Sequence, residues 1–171
     1  MSQSNTTTSI LGIASGKGGV GKTTVAVNLA LALCAQNLRV GLLDADLGLA
    51  NSQILLGVNA PLNVSHVFDD SKTVADVAVE THHGLLLIPG ASGNQSLANI
   101  TSVQARSLID QILESFPDLD VLLIDSAAGL SSANMSFLDA CCMRLLVMPA
   151  APPPRRASHI RLALATRARR S

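Results

Sequence analysis

The chain has 171 residues, of which 48% are apolar, 14% charged and 2% aromatic, with no Trp and no Tyr. That length and apolar content suit one domain with a buried core and exclude a disordered chain. The formal charge is zero, yet residues 1–150 hold six basic against twelve acidic residues, a net −6, while six arginines give residues 151–171 a net +6.

In chain order, residues 1–9 are polar and read as a flexible tail. Five apolar runs follow, Ile10–Ala14, Val40–Leu43, Leu85–Ile88, Val121–Ile124 and Leu145–Met148. None alternates polar with apolar residues, so each predicts a strand covered on both faces, as in a parallel sheet. Thr23–Gln36, rich in Ala, Leu and Val, predicts a helix directly after a glycine cluster, and Val64–Phe68 and Val74–Val79 predict short ones. Thr101–Phe116 opens with the capping-box pair Thr101 and Gln104 and repeats apolar residues at Ile109, Ile112, Leu113 and Phe116. Strands alternating with helices, joined by right-handed crossovers, predict a three-layer α/β/α fold with a mainly parallel sheet over residues 10–148.

Cys34, Cys141 and Cys142 cannot close a disulfide framework, which suits a reducing, cytoplasmic setting. No apolar run reaches the ~18–20 residues of a membrane span, and Met1–Ser9 lacks the basic and apolar regions of a secretory signal. His66, His82, His83 and His159 show no metal-ligand spacing with cysteine or aspartate and are expected on the surface or in loops. Residues 1–150 present no basic patch, so no direct nucleic-acid binding by the core is expected.

Gly16-Lys17-Gly18-Gly19-Val20-Gly21-Lys22-Thr23 satisfies the pattern G-x-x-x-x-G-K-[ST], after a predicted strand and at the start of a predicted helix. Glycines let consecutive backbone N–H groups converge on phosphate oxygens, and the helix N-terminus adds partial positive charge. Residues Gly16 to Thr24 are therefore the candidate nucleotide-binding segment, with Lys22 bridging the β- and γ-phosphates and the Thr23 hydroxyl on Mg²⁺. An ordinary turn needs neither Lys22-Thr23 nor four glycines. Asp44 and Asp46 follow the second strand, and carboxylates leaving the C-terminal end of a parallel strand sit where α/β ligands bind. Asp125 ends the fourth run; four apolar residues and then Asp is the Walker B pattern, a hard oxygen ligand near Mg²⁺.

Lys17 to Thr24 resembles the deviant Walker A motif of the MinD/ParA ATPases, Asp44-x-Asp46-Leu47-Gly48-Leu49-x-Asn51 their switch I, and Asp125-Ser126-Ala127-Ala128-Gly129 their switch II. The wording of these motifs, with Leu86–Gly93 and Leu122–Leu130, is most similar to the FlhG/FleN branch of flagellar-number regulators, and the resemblance runs from about Ile10 to Val147. It implies a SIMIBI-type P-loop NTPase fold and a weak ATPase using ATP and Mg²⁺. Lys17, Lys22 and Asp46 would be its catalytic residues: Lys17 would cross an ATP-dependent homodimer interface to the other subunit's nucleotide, and Asp46 would orient the attacking water. Thr23, Asp44 and Asp125 would surround the metal, and switch II would sense the terminal phosphate. The resemblance also implies a flagellar GTPase and a transcriptional regulator as partners, with peripheral membrane association in full-length relatives. A MinD-like role at the division site shares the chemistry and differs in partner. The absence of C-x-x-C disfavours the family's iron–sulfur carriers, and the absence of tyrosine its tyrosine kinases.

The resemblance stops at Met148-Pro149-Ala150, where relatives carry an Asn/Thr-Pro-Glu turn. The run Pro152-Pro153-Pro154 opposes both helix and strand, and His159–Arg170 is compatible with a helix bearing a thin apolar stripe of Ile160, Leu162 and Leu164. The change of composition fits a frameshifted or aberrantly terminated reading frame. Residues 149–171 are then expected to be a non-family tail, with C-terminal strands of the fold missing and Leu145–Met148 an unprotected edge; the alternative to an active switch is an inactive truncated fragment that only binds nucleotide. The alternative use of an arginine-rich tail is attraction to anionic lipid or nucleic-acid phosphates.

Overall fold

The computed structural model of the chain describes residues 7–47, 50–91, 100–129, 131–149 and 160–166. Gly48, Leu49, Ser92, Gly93, Leu130 and Ala150 of the motifs, together with residues 1–6, His159 and most of the proline- and arginine-rich tail, lie outside the described residues. Among the described residues seven strands, β1 (Ser9–Ala14), β2 (Val40–Ala45), β3 (Val79–Glu80), β4 (Leu86–Ile88), β5 (Val121–Ser126), β6 (Met143–Pro149) and β7 (Ile160–Thr166), form one sheet in the order β3-β4-β2-β5-β1-β6-β7. The inner five are parallel, and the two end strands run antiparallel to their neighbours.

The unbroken apolar runs follow from this placement, since all six residues of β2 are buried. Side chains alternate across the pleat, so Leu42 and Leu123 join one core layer while Leu43, Leu122 and Ile124 join the other. Helix α1 (Lys22–Cys34) covers the first layer through Ala26, Val27 and Ala30. Helices α5 (Ser102–Ser115) and α6 (Ser132–Ala140) cover the second through Leu108, Ile109, Ile112 and Phe137. Each fully buried Leu, Ile or Phe side chain contributes roughly 2 kcal/mol of apolar transfer. Gly12 on β1 permits the close approach of α6: a Cβ there would stand 2.7 Å from Leu138 Cδ2 and 2.8 Å from Cys141 Sγ. The capping box at Thr101 forms as expected, the Thr101 hydroxyl accepting the Gln104 N–H at 3.2 Å and the Gln104 side chain accepting the Thr101 N–H at 3.0 Å.

The stretch between residues 44 and 84 departs from expectation in detail. A short helix α2 (Ser52–Leu56) precedes α3 (Ser65–Phe68), and the helix foreseen over Val74–Val79 is α4 (Val74–Val77), ending where Val79 pairs with Leu87 as β3. The helix reading of His159–Arg170 is corrected: Ile160–Thr166 is strand β7, paired along all of β6 from Pro149↔Ile160 to Met143↔Thr166. Leu145–Met148 is therefore not the open edge that was expected. The apolar stripe was thin for a helix, whereas Leu162 and Leu164, two residues apart, share one face of a strand beside Leu145 and Val147.

Candidate functional site

The site lies beyond the C-terminal ends of β1, β2 and β5, where connections leave in opposite directions along the sheet, the usual crevice of open α/β folds. After β1 the chain turns through Ser15, whose hydroxyl donates to the Lys17 carbonyl at 3.1 Å. Gly19 (φ +74°) and Gly21 (φ +88°) then adopt left-handed conformations that favour glycine. Gly21 caps α1 without a side-chain hydrogen bond, which leaves the first N–H groups of the helix directed outward. The loop encloses a cavity of about 410 Å³, lined by Ser15, Gly18 to Thr24, Asp46, Asn51 and Ala128.

Lys22 does not project into this cavity alone. Its Nζ lies 2.6 Å from Asp125 Oδ1, with the two side chains 7% and 0% exposed. Burial pushes the Asp125 carboxyl up from its ordinary range and the nearby Asp46 charge adds to this, while the Lys22 ammonium and the Thr23 hydroxyl pull it back. The other oxygen, Asp125 Oδ2, is buried and has no hydrogen-bond partner among the described residues. A buried carboxylate oxygen without a partner is costly. An oxygen in that position, with the Thr23 hydroxyl beside it, fits the hard oxygen set that Mg²⁺ takes.

Asp44 lies in register with Asp125 on the neighbouring strand, and both side chains point to the α1 side of the sheet. Its two oxygens accept three backbone N–H groups, from Asp46 at 3.2 Å, Asn51 at 3.0 Å and Ser52 at 2.9 Å. Burial lifts the Asp44 pKa to about 6, against the Ser52 N–H bond and with help from the Asp125 charge. Asp44 thus gathers the loop that carries Asp46 and Asn51 to the cavity. Gly90 follows β4 and packs on the same post: a Cβ there would lie 2.4 Å from the Asp44 carbonyl oxygen and 3.0 Å from Ala50 Cβ.

The turn after β5 is held from three sides. The Ser126 hydroxyl donates to the Ile13 carbonyl at 2.9 Å, and the Gly129 N–H donates to the Ser15 carbonyl at 2.9 Å. From α6, the amide nitrogen of the buried Asn134 donates to the carbonyls of Ala127, Ala128 and Gly129 at 3.1, 3.2 and 3.2 Å.

Of the residues singled out in the sequence, Gly18, Gly19, Val20, Gly21, Lys22, Thr23, Thr24 and Asp46 line one cavity, and Asp125 reaches it through Lys22. Gly16 and Lys17 are exposed and do not line it. Ala128 lines the cavity as part of the segment that resembles switch II, whereas Ser15 and Asn134 carried no role in the sequence reading. Ser15 adjoins the glycine loop and had that signal, whereas Asn134 had none, because its contacts depend on how α6 packs. His82 and His83 are exposed, as expected, whereas His66 is half-buried in α3 and pairs locally with Asn63.

The family described as "ParA: NUBPL iron-transfer P-loop NTPase" matches residues 6–160. Antiactivator FleN of Pseudomonas aeruginosa is 42% identical over 139 residues, 81% of this chain and 50% of its own length. Flagellum site-determining protein YlxH of Helicobacter pylori is 35% identical over 146 residues, 83% of this chain and 49% of its own. The septum site-determining protein MinD of Pyrococcus horikoshii, solved as its Mg-ADP complex, superposes with a TM-score of 0.70 at 31% identity over 80% of this chain and 56% of that one. The chain spans about half the length of the curated relatives it matches.

Proposed function

The chain belongs to the ParA family of P-loop NTPases, with a MinD-like fold, and from that premise we propose that it is an ATP-binding switch that hydrolyses ATP slowly and dimerises when ATP is bound. The observation that carries the reading is the buried Lys22–Asp125 pair beside a glycine-walled cavity of about 410 Å³. A cation and an anion are held together where a phosphate chain would claim the first and a divalent cation the second. Thr23 and Asp125 Oδ2 would hold Mg²⁺, with Asp44 behind them; when bound, that ion offsets charge on the phosphates. The N–H groups of Gly18 to Thr24 bind and orient the phosphates, Lys22 neutralises charge between the last two, and Asp46 orients water at the cavity wall. Phosphoryl transfer needs positioning and charge stabilisation more than covalent chemistry, and without a strong general base slow turnover is expected.

Lys17 is exposed and does not line the cavity of its own subunit, which suits a role across a dimer interface. Light scattering on the purified chain should show dimers with ATP and monomers with ADP. Lys17→Ala should retain ATP affinity within about threefold and lose the dimer; dimers that persist unchanged would refute its role in trans.

The name of YlxH, a flagellum site-determining protein, and the resemblance of the motifs to the FlhG/FleN branch support a role in flagellar number or placement, exercised through a flagellar GTPase and a transcriptional regulator. Deleting the gene in its host should alter flagellar count, and misplaced division septa would point instead to the MinD-like role.

A further inference from the structure

Asn134 is a buried amide directed into the turn that borders the phosphate cavity, and no motif required it. Its Nδ2 carries two hydrogens yet lies 3.1–3.2 Å from three consecutive carbonyl oxygens, those of Ala127, Ala128 and Gly129. Three acceptors on one side fix which end of the amide faces the turn, since only nitrogen can donate. In a planar trans peptide the C=O of one residue and the N–H of the next point in opposite directions. Drawing the carbonyls of Ala127 and Ala128 toward α6 therefore turns the N–H groups of Ala128 and Gly129 away from it, toward the phosphate loop. The Gly129 N–H is found there, bonded to the Ser15 carbonyl at 2.9 Å. Ala128 lines the cavity and abuts Gly18, where a Cβ would lie 4.0 Å from Ala128 Cβ.

We propose that Asn134 is a positioning residue: by gathering three carbonyls it aims the Ala128 N–H at the place a terminal phosphate would occupy, so that discrimination of ATP from ADP depends on a side chain of α6. The proposal rests on the ATP-switch reading, but its geometric half stands apart from it. The α- and β-phosphates would face the Gly18–Thr24 segment, and the hydrogen bonds of the Asn134 amide go to Ala127, Ala128 and Gly129 instead. Loss of Asn134 therefore weakens binding of the third phosphate and spares the first two.

The test uses Asn134→Asp, a close isostere that presents oxygen to all three carbonyls, and Asn134→Ala, which removes the donor without repulsion. Calorimetric titration should give ADP affinity within threefold of the wild type in both variants. Affinity for a non-hydrolysable ATP analogue should fall at least tenfold in Asn134→Asp and less in Asn134→Ala, and kcat should fall more than KM rises. Equal weakening of ADP and ATP, or no change in either, would overturn the proposal. Amide hydrogen exchange keeps it testable without nucleotide: exchange of the Gly129 N–H should quicken at least tenfold in Asn134→Asp, and unchanged exchange would overturn the positioning role. A wild-type chain that binds neither nucleotide sinks the ATP-switch reading, while the exchange measurement still decides whether Asn134 orients the turn.

Discussion

The two loops that close over the phosphate cavity are built as mirror images in hydrogen-bond polarity. After β2, one buried carboxylate, Asp44, accepts three backbone N–H groups. After β5, one buried amide, Asn134, donates to three backbone carbonyls. Each post spares its loop the cost of burying unpaired backbone groups. They differ in two ways. Asp44 lies at the base of its own loop and can take up a proton, whereas Asn134 reaches in from the following helix and cannot titrate. The first loop should therefore respond to pH and the second only to movement of α6.

The largest expected effect removes what both loops face. Lys22→Ala should lower nucleotide affinity at least a hundredfold in titration. At pH 7 it should also destabilise the fold by about 3 kcal/mol in urea unfolding, because Asp125 is left buried without its counter-charge. A variant as stable as the wild type would show that the pair contributes nothing to the empty state.

The contrast in titration gives the next test. The Asp44 pKa of about 6 in the folded state exceeds the unfolded value near 3.9, so folding tightens the proton's hold. Its contribution to stability is present below about pH 4 and is lost as pH rises through about 6, a change on the order of 3 kcal/mol. Urea unfolding from pH 4 to 7 should show the stability of the wild type falling relative to Asp44→Asn, while the offset between wild type and Asn134→Ala stays constant. A flat Asp44 difference would remove the distinction between the two posts.

The smallest effect should touch one post only. In Gly90→Ala the new methyl would press on the Asp44 carbonyl at 2.4 Å, costing about 2 kcal/mol of stability through overpacking. Hydrogen exchange should rise at the Asn51 and Ser52 N–H groups and stay unchanged at Gly129. Disturbance of both loops would mean that they move as one body.

The site was legible where its chemistry is local in sequence. A glycine loop between a strand and a helix needs left-handed residues and a bare helix N-terminus at fixed spacing, so Gly16 to Thr24 could be read directly from the letters. The runs ending in Asp44 and Asp125 marked strand ends for the same reason, and the Thr101–Gln104 pair marked a helix start. Less was legible at the edges. Ile160–Thr166 gives no hint by itself that β6 is its neighbour, and the choice of strand over helix rested on that pairing.

The sequence by itself determined the phosphate loop, the inner strands and the carboxylates at their ends, because backbone conformation and burial on both faces impose spacing rules that survive in one dimension. Only the tertiary structure decided that Lys22 rests on Asp125, that Asp44 spends both oxygens on its own loop, that Lys17 stands clear of the cavity and that Asn134 reaches back from α6. Those facts join residues as far as 103 positions apart. Side chains that distant meet only through the order in which the strands assemble, which no local pattern records.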